Sequence, residues 1–422
     1  MISIGHIFAK EAANENDYNL IARFSDLYER ESDPRGPFLR DYNRLIHAKA
    51  YRRLKHKTQV FYATKHDHVC TRIEHVNHVA AISYNIAKAL GLNGELVNAI
   101  AVGHDLGHAP FGHEGEKVLD KITKDKIGET FWHEYNSLRF VDYIELLPDP
   151  QNVKRNLNLT YAVRDGIVCH CGEVDENNVK PRSDLLDLSK IQADNRPAPY
   201  TWEGCIVKVA DKISYLGRDI EDAITLGVLG KNELHKLKSI IRACLGAGSR
   251  SNTSLIHGFI MDLIENSTPD QGICFSSRYL NLMNAIKGFN YQHIYESERL
   301  TYFKEYAGLI IRSIFNTLER VCTSKSHDTK SELSSLENVS PLLANHFSEW
   351  LVYYASPIDI PRSTRLGNSP IYNFEQQTDI ARAIIEFISG MTDEFAIRVF
   401  QELISFDRGI VELVDEVNHM KG

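Results

Sequence analysis

Residues 71–116 read TRIEHVNHVAAISYNIAKALGLNGELVNAIAVGHDLGHAPFGHEGE. From Thr71 to Leu90, the apolar residues Ile73, Val76, Val79, Ala80, Ile86, Ala87 and Leu90 recur at three- and four-residue steps, the period of an amphipathic helix. Gly91 follows as a stop signal. Asn93 offers an N-cap for a second helix, whose buried stripe is Leu96, Ala99, Ile100 and Gly103. The glycines and the proline between Gly103 and His113 then force a loop. Two helices therefore lead into a turn that carries His104, Asp105, His108 and His113.

Working outward, the same spacing predicts helices over 131–147, closed by Pro148-Asp149-Pro150, over 201–229, and from Asp379 onward. Residues 181–200, with three prolines, read as a surface excursion, and 361–370 as another loop. The polar, Ser-rich stretch 323–341 reads as a loop or seam. Strand patterns are few and short, so the expected fold class is all-α. With 422 residues, 43% hydrophobic and 25% charged, the chain holds enough apolar material for a large core and is neither fibrous nor disordered. Its net charge of −8 does not favour DNA or an anionic membrane, so a polyanion would need a local basic pocket. No run approaches the ~18 apolar residues of a membrane span, and the first residues lack a signal-peptide pattern. Seven thinly spread cysteines read as reduced thiols, which places the expected location in the cytoplasm.

The 18 histidines cluster, and the clustering carries the functional argument. His104 beside Asp105 is a mixed nitrogen and oxygen donor pair that suits Mn²⁺, Fe²⁺, Co²⁺, Ni²⁺ or Zn²⁺. Two donors hold a metal poorly, and partners must come from elsewhere. His75 lies on the preceding helix, and Asp211 is an acid within the apolar helical stretch VKVADKISY (207–215), where a charge is costly unless paired or metal-bound. Two histidines and two aspartates from three helices would make a four-donor site. On the 201–229 helix, Asp211, Tyr215, Arg218 or Asp219, and Asp222 recur on one polar stripe, with Ile206, Val209, Ile213 and Ile220 toward the core. Cys169-His170-Cys171 has no second cysteine pair at finger spacing and is not read as a zinc site.

The segments HAKAYRRLKHKTQVF (47–61), TRIEH (71–75), AIAVGHDLGHAPFGHEGE (99–116), VRDGIVCHCGE (163–173), VKVADKISYLGRDIEDA (207–223) and EFISGMTDEFA (386–396) together resemble the HD-domain metal-dependent phosphohydrolases, and within them the deoxynucleoside triphosphate triphosphohydrolases of the dGTPase type. The resemblance runs from about residue 36 to 400. It implies an N-terminal segment (1–35), an HD catalytic core (36–230), and a C-terminal helical region (231–422) that completes the fold and forms an oligomer surface. It implies that a dNTP and water give a deoxynucleoside and inorganic triphosphate, with a divalent metal ion (Mn, Mg, Fe, Co or Ni) on His75, His104, Asp105 and Asp211. His113 matches a general acid, Glu116 its orienting carboxylate, and His133 a further active-site histidine. Arg72 and Lys212 match phosphate contacts, while Gln59, Tyr215 and Asp219 match sugar contacts. His108 takes a structural or supporting role. Members of this family form homo-oligomers, often hexamers or tetramers, some with effector nucleotides.

Two other readings compete. One is an HD enzyme of another specificity, a nucleoside monophosphatase or phosphodiesterase. The other is a nucleotide or single-stranded nucleic-acid binding protein with a vestigial site, for which the basic and aromatic stretch Tyr51 to Lys57 is the candidate surface. The chain departs from the family pattern at His78, where an acid is usual, and in the histidine-rich Lys65-His66-Asp67-His68.

Overall fold

The first helix of the motif starts where its cap permits. Glu74 Oε2 accepts from the Thr71 backbone N–H at 2.8 Å, and the helix Arg72–Leu90 follows, ending on Gly91 at φ 85°. Asn93 Oδ1 then accepts from the N–H groups of Glu95 and Leu96, and opens the helix Gly94–Gly103. The structure is a computed structural model that describes residues 6–28, 32–62, 68–171, 177–246, 252–323, 329–358 and 360–405. Lys65, His66 and Asp67 fall outside the described residues.

The fold is all-α, with only two small two-stranded sheets among the described residues: Leu146–Pro148 antiparallel to Lys154–Asn156, and Ala355–Ser356 parallel to Tyr372–Asn373. Gly94–Gly103 is the central helix. It packs on Pro37–His47, Arg72–Leu90, Tyr161–Cys169 and Trp202–Thr225, which is why all its apolar side chains are buried rather than one stripe. Further along, Glu298–Thr323 packs on Gly112–Lys126, Gln377–Ser389 and Asp393–Ile404, bringing the C-terminal region against the far side of the loop after Gly103. No described helix is long and apolar enough to cross a membrane.

Two expected elements differ. The helix expected over 131–147 is His133–Arg139, followed by a wider π-helical turn, Phe140–Ile144, and then a strand. Pairing of Leu146 to Pro148 with Lys154 to Asn156 claims the backbone that a longer helix would have used. The expected Ser-rich loop contains a helix, Thr329–Glu337, in which Leu333 and Leu336 are buried; three positions apart, they form the narrow apolar stripe that the polar composition hid.

The loop from His104 to Phe111 is held at very short range. A Cβ on Gly107 would stand 2.2 Å from Ser137 N and 2.3 Å from the carbonyl carbon of Asn136, so only glycine lets the His133–Arg139 helix sit there. Phe111 takes a left-handed φ of 63°, uncommon for a bulky residue. Asp393 secures it, accepting from Phe111 N at 2.8 Å and from Thr58 N at 2.9 Å.

Candidate active site

A cleft of about 480 Å³ opens above this loop, a size suited to a nucleotide-scale ligand. Its floor is nitrogen and carboxylate. His75, from Arg72–Leu90, places Nε2 3.0 Å from Asp211 Oδ1, from Trp202–Thr225. His104 caps the Gly94–Gly103 helix, and the His75 and His104 rings stand 5.7 Å apart. Donor atoms of His75, His104 and Asp211 lie within 4.8 Å of one another, as do those of His104, Asp105 and His170. Asp105 Oδ2 is bonded by Arg72 Nη1 at 2.6 Å, while Oδ1 lies 3.7 Å from His104 Nε2 and 3.9 Å from His133 Nε2.

The charges follow from these contacts. Burial would push the Asp105 carboxyl up, but Arg72 and the surrounding histidines hold it well below the usual carboxylate range. Burial likewise opposes the charged form of Asp211, yet the His75 hydrogen bond and charge bring it down to about 2. His75 is raised in return, the Asp211 contact outweighing burial. His170 is held down at about 4, first by burial and then by His104.

These residues fit a divalent metal ion. His104 Nδ1 lies 2.6 Å from the Ala101 carbonyl, which can only accept, so the proton sits on Nδ1 and Nε2 carries a lone pair. That Nε2 is buried without a hydrogen-bond partner, next to carboxylates already ionised. A buried imidazole lone pair among carboxylate oxygens is the donor set expected of a borderline divalent cation.

Beside the floor stands a second cluster. Glu116 Oε1 accepts from the His133 backbone N–H at 2.9 Å and meets His133 Nδ1 at 3.0 Å, while Oε2 lies 3.3 Å from His113 Nδ1. Burial opposes the Glu116 charge, but His133 and His113 hold it well below the usual range. Burial also disfavours a charged His133, yet Glu134 and Glu116 overcome it and raise the imidazole to about 10. His113 is half exposed at the cleft mouth. His108 is fully buried, stacked on His133 with ring centroids 4.5 Å apart.

The walls take most of the remaining sequence-derived residues. Gln59, Arg72, Tyr215 and Asp219 all line the cleft. Gln59 is buried, with Oε1 lacking a partner, and Asp219 Oδ1 is equally without one, so both offer acceptors to a ligand hydroxyl or amine. Burial raises the Asp219 carboxyl to about 6 against the Tyr295 hydroxyl bonded to it. Lys212 does not line this cleft. It is buried beside it, lining a small adjoining recess with Tyr215, Phe275 and Lys287. The basic stretch 51–57 divides: Arg52, Lys55 and His56 are exposed, whereas Lys57 is buried and donates to the carbonyls of His108 and of Ser389, the latter at 2.8 Å.

Sequence reasoning passed over His170, Glu134, Lys287 and Tyr295, all in the cleft wall or floor. His170 could have been found from its place at the end of a short apolar run, as His104 is. Tyr295 lies in a π-helical turn, Tyr291–Tyr295, whose period no helical pattern search tests.

Comparison with known families places the HD domain over residues 72–216 and a phosphohydrolase-associated domain over residues 360–402. The chain is 31% identical over 391 residues to a deoxyguanosinetriphosphate triphosphohydrolase-like protein of Caldanaerobacter subterraneus, covering 91% of each chain. A relative of the same description from Clostridium tetani is 34% identical over 291 residues, 68% of this chain and 74% of that one. Another, from Desulfatibacillum aliphaticivorans, is 29% identical over 372 residues, 87% of this chain and 88% of the relative.

Proposed function

This chain belongs to the HD-domain phosphohydrolases, among the deoxyguanosinetriphosphate triphosphohydrolase-like proteins, and on that premise we propose that it hydrolyses deoxynucleoside triphosphates to deoxynucleoside and inorganic triphosphate. The observation that carries the reading is the meeting of two kinds of group in one cleft. His75, Asp105 and Asp211 line it, with a His104 donor atom within 4.8 Å of those of His75 and Asp211, and so do Gln59, Asp219 and Tyr215, which offer buried acceptors and an aromatic face.

His75, His104, Asp105 and Asp211 would hold the divalent cation. When bound, that ion supplies positive charge to polarise the phosphoryl group and favour deprotonation of water. Arg72 adds a fixed guanidinium beside Asp105, a partner for phosphoryl oxygens. Attack by water at the α-phosphorus breaks the bond to the 5′-oxygen. That oxygen departs well only with a proton, which His113 gives from Nε2 while Glu116 holds its Nδ1. His133, tied to Glu116 through Nδ1, presents Nε2 to the floor as a donor toward phosphoryl oxygen. Asp219 accepts the sugar 3′-hydroxyl through Oδ1, and Tyr215 crowds the position of a ribose 2′-hydroxyl.

The test is incubation of purified protein with each dNTP and each rNTP in Mn²⁺ or Mg²⁺, with separation of nucleoside, nucleotides and triphosphate. The expected products are deoxynucleoside and intact triphosphate. Orthophosphate from monophosphates, opening of a cyclic nucleotide, or equal turnover of ribonucleotides would replace this reading with a different HD phosphohydrolase.

A further inference from the structure

We propose that His170 is a fifth protein donor to the divalent cation at the centre formed by His75, His104, Asp105 and Asp211. The inference rests on the metal-centre reading above and extends it. His170 and His104 are built alike. Each follows the last residue of a helix, Tyr161–Cys169 and Gly94–Gly103, and each turns Nδ1 back to the carbonyl three residues earlier, Ile167 and Ala101, at 2.6 Å. A carbonyl accepts and cannot donate, so both Nδ1 atoms carry the proton and both Nε2 atoms present lone pairs. The two rings meet edge to face with centroids 4.8 Å apart, and each is 1% exposed.

Two imidazole lone pairs and the Asp105 carboxylate thus bring donor atoms within 4.8 Å of one another. Asp105 Oδ2 is met by Arg72 Nη1 at 2.6 Å, but His104 Nε2 is buried without a donor, and an electron-pair acceptor beside it relieves the cost. His104 also belongs to the trio with His75 and Asp211, so the two groups meet at one shared residue. The other neighbour of His170 is Glu134, whose Oε1 pairs with Arg196 Nη1 at 3.1 Å and whose Oε2 lies 3.4 Å from His133 Nδ1, buried without a hydrogen-bond partner. With its proton on Nδ1, His170 Nε2 has no hydrogen to give that oxygen, and its lone pair is left for the floor. Three imidazoles and two carboxylates make a nitrogen-rich set, which favours Mn²⁺, Fe²⁺, Co²⁺ or Ni²⁺ over Mg²⁺.

Proton NMR of the full-length protein loaded with Co²⁺ reads the donor count directly, because each coordinated histidine contributes one paramagnetically shifted, exchangeable ring N–H signal. Three such signals are expected in the wild type and two in both His170→Ala and His170→Gln, with Co²⁺ affinity by equilibrium dialysis falling about 10-fold or more. Two signals in the wild type, unchanged in His170→Gln, would overturn the proposal and leave the four-donor centre standing. Failure of the wild type to retain Co²⁺, with no shifted signals, would instead remove the centre itself, and this inference with it.

Discussion

Replacing Asp393 by alanine tests how the loop from His104 to Phe111 is held. The carboxylate is 2% exposed and accepts from two backbone N–H groups on separate segments, Thr58 at 2.9 Å and Phe111 at 2.8 Å. Alanine leaves both donors buried and unmet, at about 1–3 kcal/mol each, so the expected loss is about 2–6 kcal/mol. Phe111 adds to the effect. Its left-handed backbone stores ~1–3 kcal/mol of strain that persists only while the surroundings enforce it. Asparagine keeps one acceptor but turns an amide toward the second N–H, and should lose about 1–3 kcal/mol. Urea unfolding measures the loss, and hydrogen exchange at the Thr58 and Phe111 amides locates it. The loop also carries His104 and Asp105 and leads into the helix Gly112–Lys126 that bears His113, and a shift of ~1 Å at such groups costs roughly 100-fold in rate. A loss under about 1 kcal/mol with both amides still protected would show that Asp393 does not hold the loop.

Other outcomes follow from the same contacts. His113→Ala should lower kcat by ~10²–10⁴-fold while Mn²⁺ retention stays unchanged, and an unaltered kcat would take the proton-donor role away from His113. Tyr295→Phe removes the hydroxyl bonded to Asp219 and should raise KM for the deoxynucleotide by roughly 10-fold through about 1–2 kcal/mol, with a smaller change in kcat. Equal KM in variant and parent would exclude Tyr295 from substrate recognition. Asp219 and Asp222 are each raised to about 6 by burial. The folded chain therefore holds protons near pH 5 that the unfolded chain has released, and stability from these groups is full below about pH 4 and lost as pH rises through about 6. The double variant Asp219→Asn, Asp222→Asn should be more stable than the parent at pH 7.5 and flatter between pH 4 and 6 in urea titrations. An unchanged slope would show that other groups carry the dependence.

The parts of the fold legible in the sequence are those set by local chemistry. Thr71, Gly91 and Asn93 mark helix ends because capping needs only a few neighbouring residues, and the Ile73 to Leu90 stripe faces inward because its period is that of the helix. The side chains that converge from one helix face, such as Tyr215 and Asp219, were equally readable. Lys212 shows the limit. It follows Asp211 in the chain, but each helical residue turns ~100°, so neighbours in sequence point to different surfaces. Lys57 shows another: in composition it belongs to a basic cluster, yet carbonyls from His108 and Ser389 provide for its ammonium inside the protein. Such partners are supplied by residues far along the chain, and no local pattern announces them.

The same distance in sequence explains why few regular backbone hydrogen bonds serve the loop from His104 to Phe111, which holds Gly107 and is flanked by Gly103 and Gly112. Between His104 and Phe111 the backbone leaves helix geometry, and its polar groups need partners from elsewhere. Asn136 donates to the Gly107 carbonyl, Lys57 to that of His108, and Asp393 accepts from Phe111. Those three side chains are themselves interlinked: Asn136 donates to Ser389 Oγ at 3.0 Å, Lys57 to the Ser389 carbonyl at 2.8 Å, and Asp393 also holds Thr58, next to Lys57. Ser389 and Asp393 lie four residues apart at the junction of two late helices. The loop is therefore held by a bracket whose centre is nearly 300 residues downstream of it, and loosening that bracket would move His104, Asp105 and His113 together rather than singly. A defect placed there should lower metal affinity and proton transfer in parallel, whereas a defect in Glu116 or His113 should lower only the second.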